Sequence, residues 1–125
     1  MEKKESFGSY IRSLRRNREK TLNDVANSIG VSLSFLSDIE QDRRNPFDEE
    51  RMAKFVSRLM LKPDEAAKLY DLAADRKNGM PDDLKETIMY APESDFVRIA
   101  LRKSKAGEIS KEDWIEFINK KRGDE

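Results

Sequence analysis

Two reactive residue types are missing from this chain of 125 residues, which has no cysteine and no histidine. Without them there is no histidine-based catalytic triad, no thiol nucleophile and no disulfide. The same absences exclude the usual ligand sets of zinc. No glycine-rich phosphate loop is present, and no spacing among the 25 acidic residues singles out an acid/base pair or a Mg²⁺ site. We therefore expect a protein that is not an enzyme and that uses no cofactor and no metal.

Long hydrophobic runs are also missing. No apolar stretch approaches the length of a membrane span, and no signal-peptide core follows Met1. Hydrophobic residues make up 37% of the chain and charged residues 40%, which is typical of a soluble protein with a modest core. We expect a cytoplasmic protein without a membrane partner.

The formal net charge is +0, so the whole chain is not basic. The charge is divided unevenly, however, because residues 1–62 hold 13 Lys/Arg against 10 Asp/Glu and residues 63–125 hold 12 against 15. This division predicts a local basic face in the first half, of the kind that contacts nucleic acid. A chance fluctuation in a charge-rich surface is the alternative.

Residues 21–40, TLNDVANSIGVSLSFLSDIE, have the pattern of two short helices joined by a tight turn. Thr21 is a candidate N-cap with Asp24 three residues on, and Ser32 is a candidate N-cap for the second helix. Apolar residues repeat at helical spacing in both segments. Gly30 lies between them, where a residue without Cβ ends a helix at little cost. The spacing predicts a helix-turn-helix.

Outside this stretch the chain contains helical patterns and no strand-like alternation. We predict an all-α protein with helices over the following ranges: 6–18, 21–29, 32–41, from 48, 63–74, 81–90, 93–103 and from 110. Ser110, with Asp113 three residues on, resembles a capping box at the start of the last helix.

The ordered combination of VA at 25–26, G at 30, S at 32, FLSDIE at 35–40 and RRNP at 43–46 resembles the Cro/repressor-like, or XRE-type, helix-turn-helix family. The resemblance covers roughly residues 6–61. A generic small helical domain with a helix hairpin is the alternative. The resemblance implies a five-helix DNA-binding domain over residues 1–76. It also implies that Arg15 pairs with Glu40 in a structural ion pair. Apolar residues at helical spacing predict a helical C-terminal region over 77–125.

In this family the second helix of the motif, here Ser32–Gln41, lies in the major groove. The base-reading candidates are Leu33, Ser34, Phe35, Ser37 and Asp38. The phosphate-binding candidates are Thr21, Asn23, Arg43, Arg44, Asn45 and Arg16. Arg12, Arg16 and Arg18 with Lys20 give the first helix a basic outer side, some of which would touch phosphates, and a solvated face is the alternative. Two further alternatives stay open: Asp38 forms a salt bridge with Arg43 or Arg44, and Phe35 packs partly against the turn.

The C-terminal region resembles nothing as specific. One small module contacts few bases, so such domains usually pair to read two half-sites. Trp114 and Phe117 are the candidate anchors of a homodimer or partner interface, because aromatic residues dominate interface energetics. Ordinary core packing of these helices is the alternative.

The sequence thus predicts a sequence-specific regulator that binds double-stranded DNA, a dimeric repressor occupying an operator through Ser32–Gln41. The alternative function is an antitoxin-like or protease-controlled module whose C-terminal helices bind a protein. A toxin or a metallopeptidase is the partner that this alternative implies.

Overall fold

The computed structural model describes residues 5–77 and 79–123, and within these ranges the regular structure is entirely helical. The elements are α1 (Phe7–Asn17), α2 (Leu22–Ile29), α3 (Leu33–Glu40), α4 (Glu49–Arg58), α5 (Pro63–Lys77), a 3-10 turn (Asp82–Leu84), α6 (Lys85–Met89), α7 (Ser94–Lys105) and α8 (Lys111–Lys121). The all-α prediction is confirmed.

The chain divides into two compact units, which we call unit 1 (residues 1–83) and unit 2 (residues 84–125). Unit 1 contains α1 to α5, unit 2 contains α6 to α8, and the 3-10 turn spans the boundary between them. The domain boundary expected from the sequence, after residue 76, stays a prediction.

Unit 1 is built around one apolar core. Within it, α1 packs against α3 and α5, and α2 packs against α3 and α4. Three phenylalanines meet in the core: the ring centroids of Phe7 and Phe47 are 5.8 Å apart, and those of Phe47 and Phe55 are 5.7 Å apart. Fully buried aliphatic side chains from every helix surround them, among them Ile11, Leu14, Val25, Ile29, Leu36, Ile39, Met52 and Leu69. The core therefore holds α3 in place through its buried side chains Leu36 and Ile39.

The end of α3 meets the beginning of α1 at a contact that requires glycine. A Cβ built on Gly8 would lie 2.4 Å from the carbonyl oxygen of Ile39 and 2.6 Å from that of Glu40. Both of these atoms are backbone, so they cannot move aside as a flexible side chain would. The two helices can approach this closely only because residue 8 has no side chain.

Asp42 follows α3 in the left-handed region, with φ 58°. Asp and Asn adopt this conformation more readily than most residues because their short side chains bond locally. Here the carboxylate reaches further. It accepts hydrogen bonds from the Ser6 hydroxyl at 2.6 Å, the Gly8 amide at 2.9 Å and Nη1 of Arg76 at 3.2 Å. Asp42 thus ties the end of α3 to α1 and α5.

Arg18 has a structural role that differs from its place on the predicted basic outer side. Its Nε donates to the Leu59 carbonyl oxygen at 2.7 Å, and its Nη2 donates to Oε1 of Glu65 at 2.7 Å. The guanidinium therefore links the end of α1 to the residue that follows α4 and to the first turn of α5. A sequence pattern shows which face of α1 Arg18 occupies, but not that a distant turn supplies acceptors within its reach.

Unit 2 is a small three-helix unit in which α6 packs against α7. The helix predicted over 81–90 begins instead as a 3-10 turn and is regular only over Lys85–Met89. Ser110 and Asp113 form the reciprocal N-terminal cap of α8 that the sequence predicted. The indole Nε1 of Trp114 donates to Oγ of Ser104 at 2.8 Å, which joins α8 to α7.

Large apolar side chains remain on the surface of unit 2. They are Leu84, Met89, Tyr90, Phe96, Ile99, Leu101, Ile115, Phe117 and Ile118. In the part of the chain that the structure describes, no helix is both long enough and apolar enough to cross a membrane.

Candidate nucleic-acid interface

Local hydrogen bonds build the helix-turn-helix of α2 and α3. The Thr21 hydroxyl accepts from the Asp24 amide and the Asp24 carboxylate accepts from the Thr21 amide, so a reciprocal cap begins α2. Gly30 ends α2 in the left-handed region with φ 73°. The Ser32 hydroxyl then accepts from the Phe35 amide and begins α3. Each of these features was predicted from the sequence.

One face of α3 packs into the core, and the opposite face is exposed to solvent. Leu36 and Ile39 are fully buried, whereas Leu33 is 51% exposed and Ser34 is exposed. The Oγ atoms of Ser32 and Ser34 lie 3.3 Å apart, and either hydroxyl can be the donor of this hydrogen bond. The Ser34 hydroxyl can donate or accept, and it lies at the N-terminal end of α3. Ser37 is half-buried, and its hydroxyl accepts from Nε2 of Gln41 at 2.9 Å.

Asp38 lies between the two arginines that follow α3. Its Oδ1 is 3.7 Å from Nη1 of Arg43, and its Oδ2 is 3.9 Å from Nε of Arg44. The salt-bridge alternative for Asp38 is therefore the arrangement that the structure contains. A carboxylate held in this way lowers the positive potential of both arginines, so reading cytosine through Asp38 would require that these contacts change.

Phe35 is half-buried and packs against the core of unit 1. The guanidinium carbon of Arg44 lies 4.5 Å from the centroid of its ring, and that of Arg51 lies 5.3 Å from it. Both distances are within the range of cation–π attraction. The ring thus contacts the protein on several sides. Sequence reasoning did not single out Arg51. The signal that could have found it was its position directly after the acidic residues Asp48, Glu49 and Glu50 at the start of α4.

A groove of about 520 Å³ lies beside α3. Its lining includes the four guanidinium-bearing residues Arg43, Arg44, Arg51 and Arg76, together with Phe35 and Asn45. Arginine is the side chain best suited to bind phosphate, because its planar fork of N–H donors matches the phosphate oxygens. Three of these arginines belong to residues 1–62, the half of the chain in which the charge division predicted a basic face, and its contact with nucleic acid stays a prediction.

The remaining phosphate candidates are on the surface. Thr21 and Asn23 are exposed at the beginning of α2, and Arg16 is exposed on α1. Hydrogen bonds from Thr21 hold the pKa of Asp24 below its ordinary value. The Thr21 oxygen already accepts one hydrogen bond, but its hydroxyl hydrogen can still donate to a phosphate. These assignments stay predictions.

The ion pair between Arg15 and Glu40 is present and buried, with 9% and 4% of the two residues exposed. Nε of Arg15 donates to Oε2 of Glu40 at 2.7 Å, and Nη2 donates to Oε1 at 3.0 Å. These hydrogen bonds raise the pKa of Arg15 above its ordinary value. The pair joins the last turn of α1 to the last residue of α3, so it holds the C-terminal end of α3 against α1.

The other predicted residues lie in unit 2. The rings of Trp114 and Phe117 meet edge to face with centroids 6.3 Å apart, and Phe117 is 53% exposed. Between residues 5 and 123, leaving out residue 78, no group of three or more acidic residues is arranged to hold a metal ion.

Comparison with known proteins identifies the family. Residues 6–69, about half of the chain, match the family model described as a helix-turn-helix domain. A search of curated proteins finds no match. Among solved structures the chain is similar to one titled SinR protein/SinI protein complex, with 18% identity, a TM-score of 0.48, and coverage of 93% of this chain and 94% of that chain. The family match spans α2, the turn and α3, and it confirms the resemblance drawn from the sequence. The chain belongs to the helix-turn-helix family, and it is a DNA-binding transcription regulator of the Cro/repressor-like type.

Proposed function

We propose that the protein is a dimeric repressor that occupies an operator with the exposed face of α3 in the major groove. The observation that carries this proposal is the position of α3: its inner side is buried and braced to α1, while its outer side lies next to a groove lined by four arginines. Bases would be read from α3, and the arginines would bind the phosphates that flank it.

Base reading and phosphate binding are separable by experiment. The protein would first select duplexes from a random pool, and fluorescence anisotropy would then measure its affinity for the selected duplex and a scrambled duplex at several salt concentrations. We expect an affinity gap of about a thousandfold or more. Equal weak affinity for both duplexes would contradict sequence-specific repression.

Two sets of variants test the assigned roles. Substituting Arg43 and Arg44 with alanine should weaken binding to both duplexes and reduce the salt dependence, because phosphate contacts release counterions. Substituting Ser34 with alanine should instead change the selected sequence while the salt dependence stays the same. The opposite pattern would reverse the two assignments.

Pairing of two copies through unit 2 completes the proposal. Residues 84–125 hold nine Lys/Arg and nine Asp/Glu, so two copies of this unit meet without net repulsion. An open apolar groove of about 390 Å³ between α7 and α8 is available for the contact and is lined by Phe96, Val97, Ala100, Leu101, Trp114 and Phe117. Burying such surface is the main driving force of association.

The oligomeric state tests this part. We expect the full chain to sediment as a dimer and the variant Phe117→Ala to dissociate at higher concentrations. Tyr90→Ala is the matched control, since Tyr90 is an exposed aromatic residue of unit 2 outside the groove. A wild-type chain that stays monomeric at all concentrations would contradict the dimer.

The same groove supports a second candidate function, an antitoxin-like or protease-controlled module whose unit 2 binds another protein. A monomeric wild type that captures a toxin or a metallopeptidase, with capture lost in Phe117→Ala, would favour this function over the dimer.

A further inference from the structure

The ring of Phe35 connects the loop after α3 to the first turn of α4. Arg44 comes from the loop and Arg51 from α4, and both guanidinium groups lie against this one ring. The ring also packs against the core of unit 1, which holds it in place. A fixed aromatic face attracts cations at distances below about 6 Å, so the ring limits where both guanidinium groups can lie.

Arg51 is held at a second point, by the residue that caps α4. Its Nη1 donates to Oδ2 of Asp48 at 2.8 Å, and its backbone amide donates to Oδ1 at 2.9 Å. A guanidinium carries five N–H groups, and the hydrogen bond to Asp48 uses one of them. The side chain of Arg51 is 41% exposed and lines the same groove as Arg43, Arg44 and Asn45.

We propose that Arg51 is a further phosphate-binding residue of the DNA interface and that Phe35 is a positioning residue, which orients Arg44 and Arg51 and does not read bases. This inference rests on the proposed function. A side chain already held by a ring and a carboxylate loses less conformational freedom on binding, so Arg51 is prepared to meet a phosphate.

The salt dependence of binding tests the role of Arg51. The probe is the duplex that the wild-type full chain selects from a random pool. Affinity falls as salt rises, and we call the steepness of log affinity against log salt the salt slope. Loss of one phosphate contact lowers the magnitude of the salt slope by about 0.9. We expect this decrease for Arg51→Gln and none for Lys54→Gln, a matched control on the same helix with 42% of its side chain exposed. Equal slopes for Arg51→Gln and the wild type would overturn the assignment.

Thymine methyl groups test the role of Phe35. The variant Phe35→Leu keeps an apolar side chain packed against the core of unit 1 but removes the aromatic face. We expect it to select the wild-type sequence with a lower salt slope. Replacing thymine by uracil in the duplex should change the affinity of the wild type and Phe35→Leu by the same factor. A uracil effect that is present in the wild type and lost in Phe35→Leu would show that Phe35 reads a methyl group, and the positioning role would be wrong.

The experiments distinguish failure of the proposed function from failure of the role of Arg51. If the wild type binds no duplex at all, the proposed function is wrong and this inference falls with it. If the wild type binds its selected duplex with a clear salt slope and Arg51→Gln keeps that slope, the proposed function stands and only the role of Arg51 is refuted. Thermal unfolding of Arg51→Gln and Phe35→Leu, compared with the wild type, separates a lost contact from a lost fold.

Discussion

Removing one partner of the buried pair of Arg15 and Glu40 should be among the most damaging single substitutions in unit 1. The variant Arg15→Met keeps much of the side-chain volume but leaves the Glu40 carboxylate buried without its two short hydrogen bonds, of 2.7 and 3.0 Å. Breaking a buried pair in this way costs on the order of 3–5 kcal/mol. Arg12 still approaches Oε1 of Glu40 at 3.5 Å, so we expect the lower end, about 3 kcal/mol.

Removing both partners should cost less than removing one. In Arg15→Met/Glu40→Met no buried charge is left alone, and replacing a buried pair by apolar residues is often neutral. One loss remains, because Nη1 of Arg15 also donates to the Lys20 carbonyl oxygen at 2.9 Å. An unmade hydrogen bond of this kind costs about 1–3 kcal/mol, and the partly buried Lys20 carbonyl lies at the low end. We therefore expect the double variant to lose about 1 kcal/mol, roughly 2 kcal/mol less than Arg15→Met.

Urea unfolding followed by far-UV circular dichroism measures these differences. Lys54→Met is the control, since it breaks an exposed pair with Glu50 and should cost about 0.5 kcal/mol or less. Trp114 is the only tryptophan and belongs to unit 2, so its fluorescence monitors that unit separately. A double variant no more stable than Arg15→Met would refute the reasoning, because the cost would then not come from an uncompensated charge.

Three further outcomes are expected. Gly8→Ala should destabilise unit 1 by about 1–3 kcal/mol in the same urea assay, because the new Cβ meets backbone oxygens. Gly79→Ala is the control and should not destabilise it, because a Cβ on Gly79 has no heavy atom within 4 Å. Equal effects of the two variants would contradict the close contact. Hydrogen bonds from Lys62 and Arg18 hold the pKa of Glu65 below its ordinary value of 4.5. The unfolded chain therefore binds the proton more tightly, and stability falls as pH drops below about 4.5. Glu65→Gln should flatten this part of an acid unfolding curve, and an unchanged curve would contradict the assignment. Asp38→Asn should raise the affinity for scrambled duplex DNA by removing a negative charge beside two arginines, and unchanged anisotropy titrations would count against that role.

The sequence was sufficient for features that depend on neighbouring residues. The caps formed by Thr21 with Asp24 and by Ser110 with Asp113 were predicted, because a cap needs only residues three positions apart. The helical core faces and the turn at Gly30 followed from spacing alone. The buried pair of Arg15 and Glu40 was implied by the family resemblance and not by spacing.

Contacts between distant residues were harder to predict. Gly8 falls within the helix predicted over 6–18 and no pattern singled it out, although the approach of α3 demands a glycine there. Arg18 was placed with the basic surface, because the carbonyl that it binds lies 41 positions further along the chain. Phe35 was grouped with base-reading residues, since its distances to Arg44 and Arg51 depend on how the loop and α4 fold around it. Each of these contacts depends on tertiary geometry, about which a local pattern carries little information.

The bond between the Gly8 amide and Asp42 offers a direct way to follow the end of α3 in solution. The first amides of a helix have no partner within the helix, so they normally exchange their hydrogen with solvent quickly. The Gly8 amide instead donates to a carboxylate 34 residues away. Its exchange rate therefore reports whether the C-terminal end of α3 is docked against α1, and one resonance can reveal whether DNA binding tightens or loosens that end.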